Sequence, residues 1–152
     1  MALFVHWMPR PVHVGLIGCG KISDAYFAGC AHYDFIKIVA CADLDSARAA
    51  AKAAEHGIRS ATVDELLADR DIELLINLTI PAAHAAVNTA ALNAGKHVYT
   101  EKPFALSSAD GAAVLARAKE KNLLVGCAPD TFLGGGLQTA RKLIDDGAIG
   151  RP

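Results

Sequence analysis

No stretch of this chain approaches the roughly 20 consecutive apolar residues of a membrane-spanning helix, although 53% of its 152 residues are hydrophobic. The apolar residues are dispersed in short segments, enough for the core of one domain. Charge of one sign is missing too: 15 basic residues stand against 16 acidic ones, without a basic block, and aromatics make up 6%. That balance excludes nucleic acid and membrane surfaces as expected partners and leaves small molecules. Cys19, Cys30, Cys41 and Cys127 form no C-x-x-C pair and fall mostly in apolar segments. They read as free thiols of a reducing compartment, not as zinc ligands or disulfides, and the even spacing of the first three reads as coincidence. His6, His13, His32 and His56 have no partner at ligand spacing, so no metal is expected. The start has no basic region and its apolar run stops at His6, so it is not a signal peptide; the cytoplasm is the expected location. Residues 1–11 read as an N-terminal extension.

What is present is organised around Val12 to Ser23. Val12, Val14, Leu16 and Ile17 form a strand-like run that ends in Gly18-Cys19-Gly20, and an amphipathic segment follows directly. At such a strand, turn and helix the glycines let the backbone approach a diphosphate. Unpaired amides around Lys21, Ile22 and Ser23 supply donors and positive dipole to it. Ser23 stands where the dinucleotide fingerprint asks for a third small residue. Glycines also mark ordinary turns. The acid at the end of the next strand raises the reading: Asp43 lies twenty-three positions past Gly20, about the spacing of the carboxylate that accepts the ribose hydroxyls of NAD.

Further on, residues 21–32 read as a helix packing through Ile22, Ala25, Tyr26 and Gly29, and residues 35–42 as a strand. Ser46 to His56 is a helical stretch closed by Gly57, and Thr62 with Glu65 opens a short helix by a capping box. Ile72 to Leu78 reads as a buried strand, Pro81 as the first residue of an Ala-rich helix ended by Gly95, and Val98 and Tyr99 as a strand. Ser107 with Asp110 starts a helix to about Lys121, Leu123 to Cys127 is a strand, and a last helix runs from about Leu137 to Asp146. The sum is six βα units, predicting an α/β fold with a doubly wound parallel sheet. Ligands sit at the carboxyl ends of such strands, which gathers Gly18, Gly20, Asp43, Leu78, Thr79, Glu101 and Lys102 on one rim.

The segment Ala94 to Pro103, AGKHVYTEKP, resembles the AGKHV-x-x-EKP signature of the Gfo/Idh/MocA oxidoreductases (glucose-fructose oxidoreductase, inositol dehydrogenase and relatives). Gly15 to Gly20, Ala42-Asp43, Thr79-Ile80-Pro81 with His84, and the closing GAIGRP agree with it. The resemblance covers the chain from Val12 onward and implies a nicotinamide-binding Rossmann domain over 12–152. The family has a second domain that lines the substrate pocket and makes subunit contacts, and this chain stops where that domain should begin. Implied for the parent are hydride transfer between NAD and a hydroxyl-bearing carbon of a sugar or cyclitol, and a homo-oligomer. Lys102 would be the active-site lysine, near the nicotinamide and the reacting hydroxyl. An ammonium has a reference pKa of about 10.4, and burial beside a positively charged oxidised ring would lower it toward a useful proton donor and acceptor. Pro103 restrains the backbone there.

Glu101 is assigned to the cofactor, and as a strand neighbour of Lys102 it points to the opposite face, which disfavours a mutual salt bridge. His84 is implied to face the nucleotide, against the alternative of an exposed helical histidine, while His97 supports the strand entry. Thr79 and Ile80 would touch the adenosine or inner ribose. Asp130, in the last loop, is a weaker candidate. Asp43 would repel a 2′-phosphate, so NAD is expected over NADP, with Arg48 one helical turn on as the residue that softens this. Two other classes stay open at this level: a sensor or scaffold that binds nucleotide without redox chemistry, and a methyltransferase-like fold, in which Glu-Lys-Pro has no place.

Overall fold

The computed structural model describes residues 10–129 and 131–151. The expected extension, apart from Arg10 and Pro11, the candidate Asp130 and the last residue of the closing GAIGRP segment, Pro152, lie outside the described residues. Six parallel strands form one sheet in the order β3-β2-β1-β4-β5-β6. They are β1 (Val12–Ile17), β2 (Ile36–Ala42), β3 (Arg59–Ser60), β4 (Leu74–Asn77), β5 (His97–Thr100) and β6 (Val125–Cys127). Six helices alternate with them: α1 (Ser23–Cys30), α2 (Ser46–His56), α3 (Val63–Ala68), α4 (His84–Asn93), α5 (Ser108–Lys121) and α6 (Gly135–Asp145). The strand order reverses between β1 and β4, so a crevice opens at their carboxyl ends.

The helices start and stop where the chain supplies the chemistry. Asp45 accepts hydrogen bonds from the amides of Ala47 and Arg48 at 3.0 and 3.2 Å, opening α2, and Gly57 closes it in the left-handed conformation. Thr62 and Glu65 make the expected capping box on α3. Ser107 Oγ accepts from the Asp110 amide at 3.1 Å, and Asn122, left-handed at φ 54°, ends α5. Pro81 starts a 3₁₀ turn, Pro81–Ala83, which runs into α4 at His84, so the histidine begins the α-helix proper.

Two apolar layers cover the sheet. Val14, Leu16, Ile38 and Cys41 pack with Phe27 of α1 and with Ala49 and Ala53 of α2. Leu75 and Val98 pack on the other face with Leu66, Leu92, Val114 and Ala118. Burial of a leucine such as Leu16, Leu75 or Leu92 contributes roughly 1.5–3 kcal/mol relative to exposure. Lys96, from the AGKHV segment, is buried away from the rim, with Nζ donating to the carbonyls of Ile72, at 2.8 Å, and Asp69. Burial pushes this ammonium below the ordinary lysine value. His97 Nδ1 accepts the Leu124 amide at 3.0 Å and so ties the entries of β5 and β6.

α1 departs from expectation. Ser23 and Phe27 face the sheet, whereas Ile22 and Ala25 are exposed and Tyr26 and Gly29 are half-buried. These four line a cavity of about 630 Å³ with Leu74, Ile76 and Tyr99, over the half of the sheet that α1 and α2 do not reach. α6 lies against a short 3₁₀ turn, Thr131–Leu133, and exposes Leu137, Leu143 and Ile144. Among the described residues no helix is long and apolar enough to cross a membrane.

Candidate functional site

The turn after β1 is shaped by two glycines with different jobs. Gly18 has φ +100°, and a Cβ built on it would lie 2.6 Å from the Leu78 carbonyl carbon and oxygen, so only glycine fits there. Its amide donates to Ala42 O at 2.8 Å, while the Leu78 amide donates to Ile17 O at 2.8 Å, locking the ends of three strands together. Gly20 is the opposite case: a Cβ there would meet nothing within 4 Å, which leaves room for a ligand against bare backbone. Ser23, fully buried at the start of α1, turns its hydroxyl onto Gly20 O at 2.6 Å. No side chain caps α1, and Lys21 and Ile22 are exposed in front of it. Of its first amides, that of Ser23 donates to Gly20 O at 2.9 Å and that of Ala25 to Ile22 O at 3.2 Å, and Asp24 stands in the first turn.

Asp43 follows β2, with its side chain only 9% exposed. Oδ2 accepts the Cys19 amide at 2.8 Å and Oδ1 the Asp45 amide at 2.9 Å, each leaving lone pairs for further donors. Arg48 pairs with Asp43 at 3.3 Å and with Asp45 at 3.4 Å. The residue that sequence spacing only places one helical turn away is thus in contact with the ribose candidate.

After β4, Leu78 is buried, Thr79 half-buried and Ile80 70% exposed. Thr79 donates its amide and hydroxyl to Asn77 Oδ1, at 3.1 and 2.7 Å, so the hydroxyl proton points inward and does not cap a helix. His84 is not the exposed helical histidine of the alternative reading. It is 1% exposed, with Nδ1 2.6 Å from Pro103 O and Nε2 2.9 Å from Thr79 O, clasping the turn after β4 to the loop after β5. Asn77 Nδ2 donates to Asn88 Oδ1 at 2.7 Å and to His84 O at 3.2 Å. Asn88 Nδ2 is buried without a partner among the described residues.

Glu101 follows β5. Oε1 accepts the Tyr26 hydroxyl at 2.8 Å and Oε2 the Lys102 amide at 2.9 Å, so the carboxylate addresses the backbone of Lys102 and not its ammonium. Lys102 is exposed, precedes a cis peptide to Pro103, and shares the 630 Å³ cavity with Glu101, Tyr26 and Ile22. The burial expected of this lysine is not present in these residues.

The rim is one continuous series of contacts. Asp43 holds Cys19, Gly18 abuts Leu78, Thr79 meets His84, His84 holds Pro103, and Glu101 beside it reaches Tyr26 on α1. Sequence reasoning missed Tyr26, Asn77 and Asn88 as members: Tyr26 acts through Glu101, 75 positions on, and the two asparagines meet each other across the start of α4. Elsewhere Asp24, Glu55 and His56 come together at the surface, where Lys52 already pairs with both carboxylates and His56 stacks on Phe27.

The chain is similar to inositol 2-dehydrogenase of Salmonella typhimurium, with 32% identity over 143 residues, 91% of this chain and 43% of the relative. Among solved structures it resembles the WlbA dehydrogenase of Bordetella pertussis in complex with NADH and UDP-GlcNAcA, at TM-score 0.89 and 27% identity, covering 95% of this chain and 42% of that one. It also resembles biliverdin reductase of Synechocystis in complex with biliverdin and NADP+, at TM-score 0.80 and 32% identity, covering 88% and 42%. The chain thus spans about two fifths of the length of the proteins it matches. With the family model described as oxidoreductase family, NAD-binding Rossmann fold, matching residues 12–128, this chain belongs to the Gfo/Idh/MocA oxidoreductases.

Proposed function

We propose that residues 12–151 form the dinucleotide-holding part of a dehydrogenase whose parent moves a hydride between NAD and a hydroxyl-bearing carbon of a sugar or cyclitol. The observation that carries this reading is the Asp43 to Cys19 hydrogen bond, which fastens the ribose candidate to the diphosphate candidate at 2.8 Å. In this reading Gly18, Cys19, Gly20, Lys21 and Ile22 receive the diphosphate on turn and helix amides, and Asp43 takes the ribose hydroxyls. Leu78, Thr79, Ile80 and His84 form the wall beside the adenosine and inner ribose. The pocket fits such a ligand: Gly20 offers open backbone, and Lys21 and Ile22 stand exposed ahead of α1, whose start no side chain caps.

Bound nicotinamide supplies the hydride acceptor. Lys102 holds or delivers the proton of the reacting hydroxyl at Nζ, and Glu101, fixed by Tyr26, orients the peptide that carries Lys102. NAD is favoured over NADP because the nearby cation, Arg48, is already neutralised by Asp43 and Asp45. The substrate pocket and subunit contacts belong, in this reading, to the part of the parent beyond these residues.

The test is titration calorimetry of the chain with NADH and NADPH. Saturable binding with NADH the tighter ligand is expected. Failure of both to bind would sink the reading, and tighter NADPH would overturn the cofactor choice. A sugar and polyol panel should give no robust turnover with residues 1–152 alone.

A further inference from the structure

The polar groups of Thr79 are almost fully committed. Its amide donates to Asn77 Oδ1 at 3.1 Å, its carbonyl faces His84 Nε2 at 2.9 Å, and its hydroxyl gives its single proton to the same Asn77 Oδ1 at 2.7 Å. A hydroxyl has one proton and two acceptor lone pairs. Among the described residues nothing donates to Thr79 Oγ1, so this half-buried side chain offers a ligand acceptor capacity alone.

That polarity is imposed from beneath. Asn77 Nδ2 faces the His84 carbonyl at 3.2 Å, which can only accept, and Asn77 Oδ1 faces the Thr79 amide, which can only donate, so the side-chain amide cannot be turned round. Asn77 Nδ2 also donates to Asn88 Oδ1 at 2.7 Å, which leaves Asn88 Nδ2 buried without a partner among the described residues. Asn77 and Asn88 are 1% and 0% exposed. An unpaired buried donor works against folding, and an apolar residue at position 88 would avoid it. What the pair supplies instead is a run of donation from Thr79 through Asn77 to Asn88 that cannot reverse.

We propose that Asn77 and Asn88 are positioning residues that hold Thr79 Oγ1 as the acceptor for one ribose hydroxyl of the dinucleotide. This rests on the cofactor reading above and deepens it. Thr79 stands beside the candidate diphosphate turn: its amide nitrogen lies 3.0 Å from the point that a Cβ on Gly18 would take. A ribose hydroxyl brings the proton that Oγ1 lacks, whereas an ionised phosphate oxygen brings only lone pairs. The crevice is thereby sorted by polarity, with the diphosphate at the turn after β1 and a hydroxyl at the turn after β4. A site built to pair with a hydroxyl rejects analogues that lack it.

The experiment titrates the chain by calorimetry with NADH and with four analogues, each with one ribose hydroxyl replaced by hydrogen, two on the adenosine ribose and two on the nicotinamide ribose. One analogue is expected to bind the unmodified chain about fivefold more weakly than NADH. The same analogue should bind Thr79→Val no more weakly than NADH does, because that variant has no acceptor left to lose. Which analogue behaves so identifies the ribose. Thr79→Ser should restore the penalty, and Asn88→Ala, which leaves Thr79 itself intact, should reduce it. If every analogue keeps its full penalty in Thr79→Val, as it would were Thr79 only a piece of wall, the proposal is overturned. A penalty untouched by Asn88→Ala would overturn the role of Asn88. Thr79→Val alters a half-buried side chain, so the main comparison stands even if Asn88→Ala does not fold. Absence of NADH binding by the unmodified chain would instead overturn the cofactor reading, and this proposal with it.

Discussion

At Gly18 a positive φ coincides with a backbone neighbour 2.6 Å from any Cβ, whereas at Gly20 neither constraint exists within the chain. The pair therefore separates folding from binding. Gly18→Ala is expected to cost about 1–3 kcal/mol of stability, read by denaturant unfolding, and to weaken NADH binding as well. Gly20→Ala should stay within about 0.5 kcal/mol of the parent in the same unfolding assay yet lose NADH affinity, because its methyl enters the space left for the ligand. Equal stability losses in the two variants would remove this distinction. Asp43→Asn tests the ribose end. It keeps an acceptor for the Cys19 amide but discharges the carboxylate paired with Arg48. The ratio of NADH to NADPH affinity should fall by about tenfold, read by fluorescence titration, since a freed guanidinium attracts a 2′-phosphate.

Among the elements, α3 gives the cleanest pH signature. Glu65 accepts the Thr62 amide at 2.7 Å and the Thr62 hydroxyl at 3.1 Å, and these bonds hold its carboxyl below the usual range. A depressed folded-state pKa contributes stability that is complete above the unfolded value, about 4.3, and disappears as pH falls through the folded value. The melting-temperature gap between the parent and Glu65→Ala should be constant at neutral pH and shrink in acid below that value. A gap that persists unchanged at low pH would contradict this. The capping box, the Ser107 start and the Gly57 stop were legible in sequence because each is a local rule written within four residues, while the Asp45 cap of α2 came only with the structure.

Elements with no local rule were not legible. β3 is two exposed residues, Arg59–Ser60, held to β2 by pairing alone; five strands and six helices can be placed from sequence, and this third strand has no hydrophobic period to mark it. α1 has no single apolar stripe, and the residues it turns to the sheet are Ser23 and Phe27. The rim positions followed from strand order. Their mutual fastening, through His84 to Pro103 and Tyr26 to Glu101, joins residues 19 and 75 apart and leaves no trace in spacing.

Taken whole, the molecule is covered unevenly. α1 and α2 shield β1 to β3 on one side, while Leu74, Ile76 and Tyr99 line an apolar cavity beside them and α6 exposes its own leucines. The native chain at neutral pH should therefore bind a dye that fluoresces on apolar surface, with a cooperative melt that excludes a molten state. Dark dye in the presence of native chain would contradict the exposure of that face.

The His84 clasp ties the two halves of the crevice into one mechanical unit, and this bears on how a dinucleotide is used. In the proposed reading its adenine end does no chemistry, yet would grip a frame whose far side carries Lys102 next to Pro103. A nicotinamide mononucleotide, deprived of that handle, would reach the same lysine without the grip that aligns it, and the loss should fall on turnover as well as on affinity in the parent enzyme.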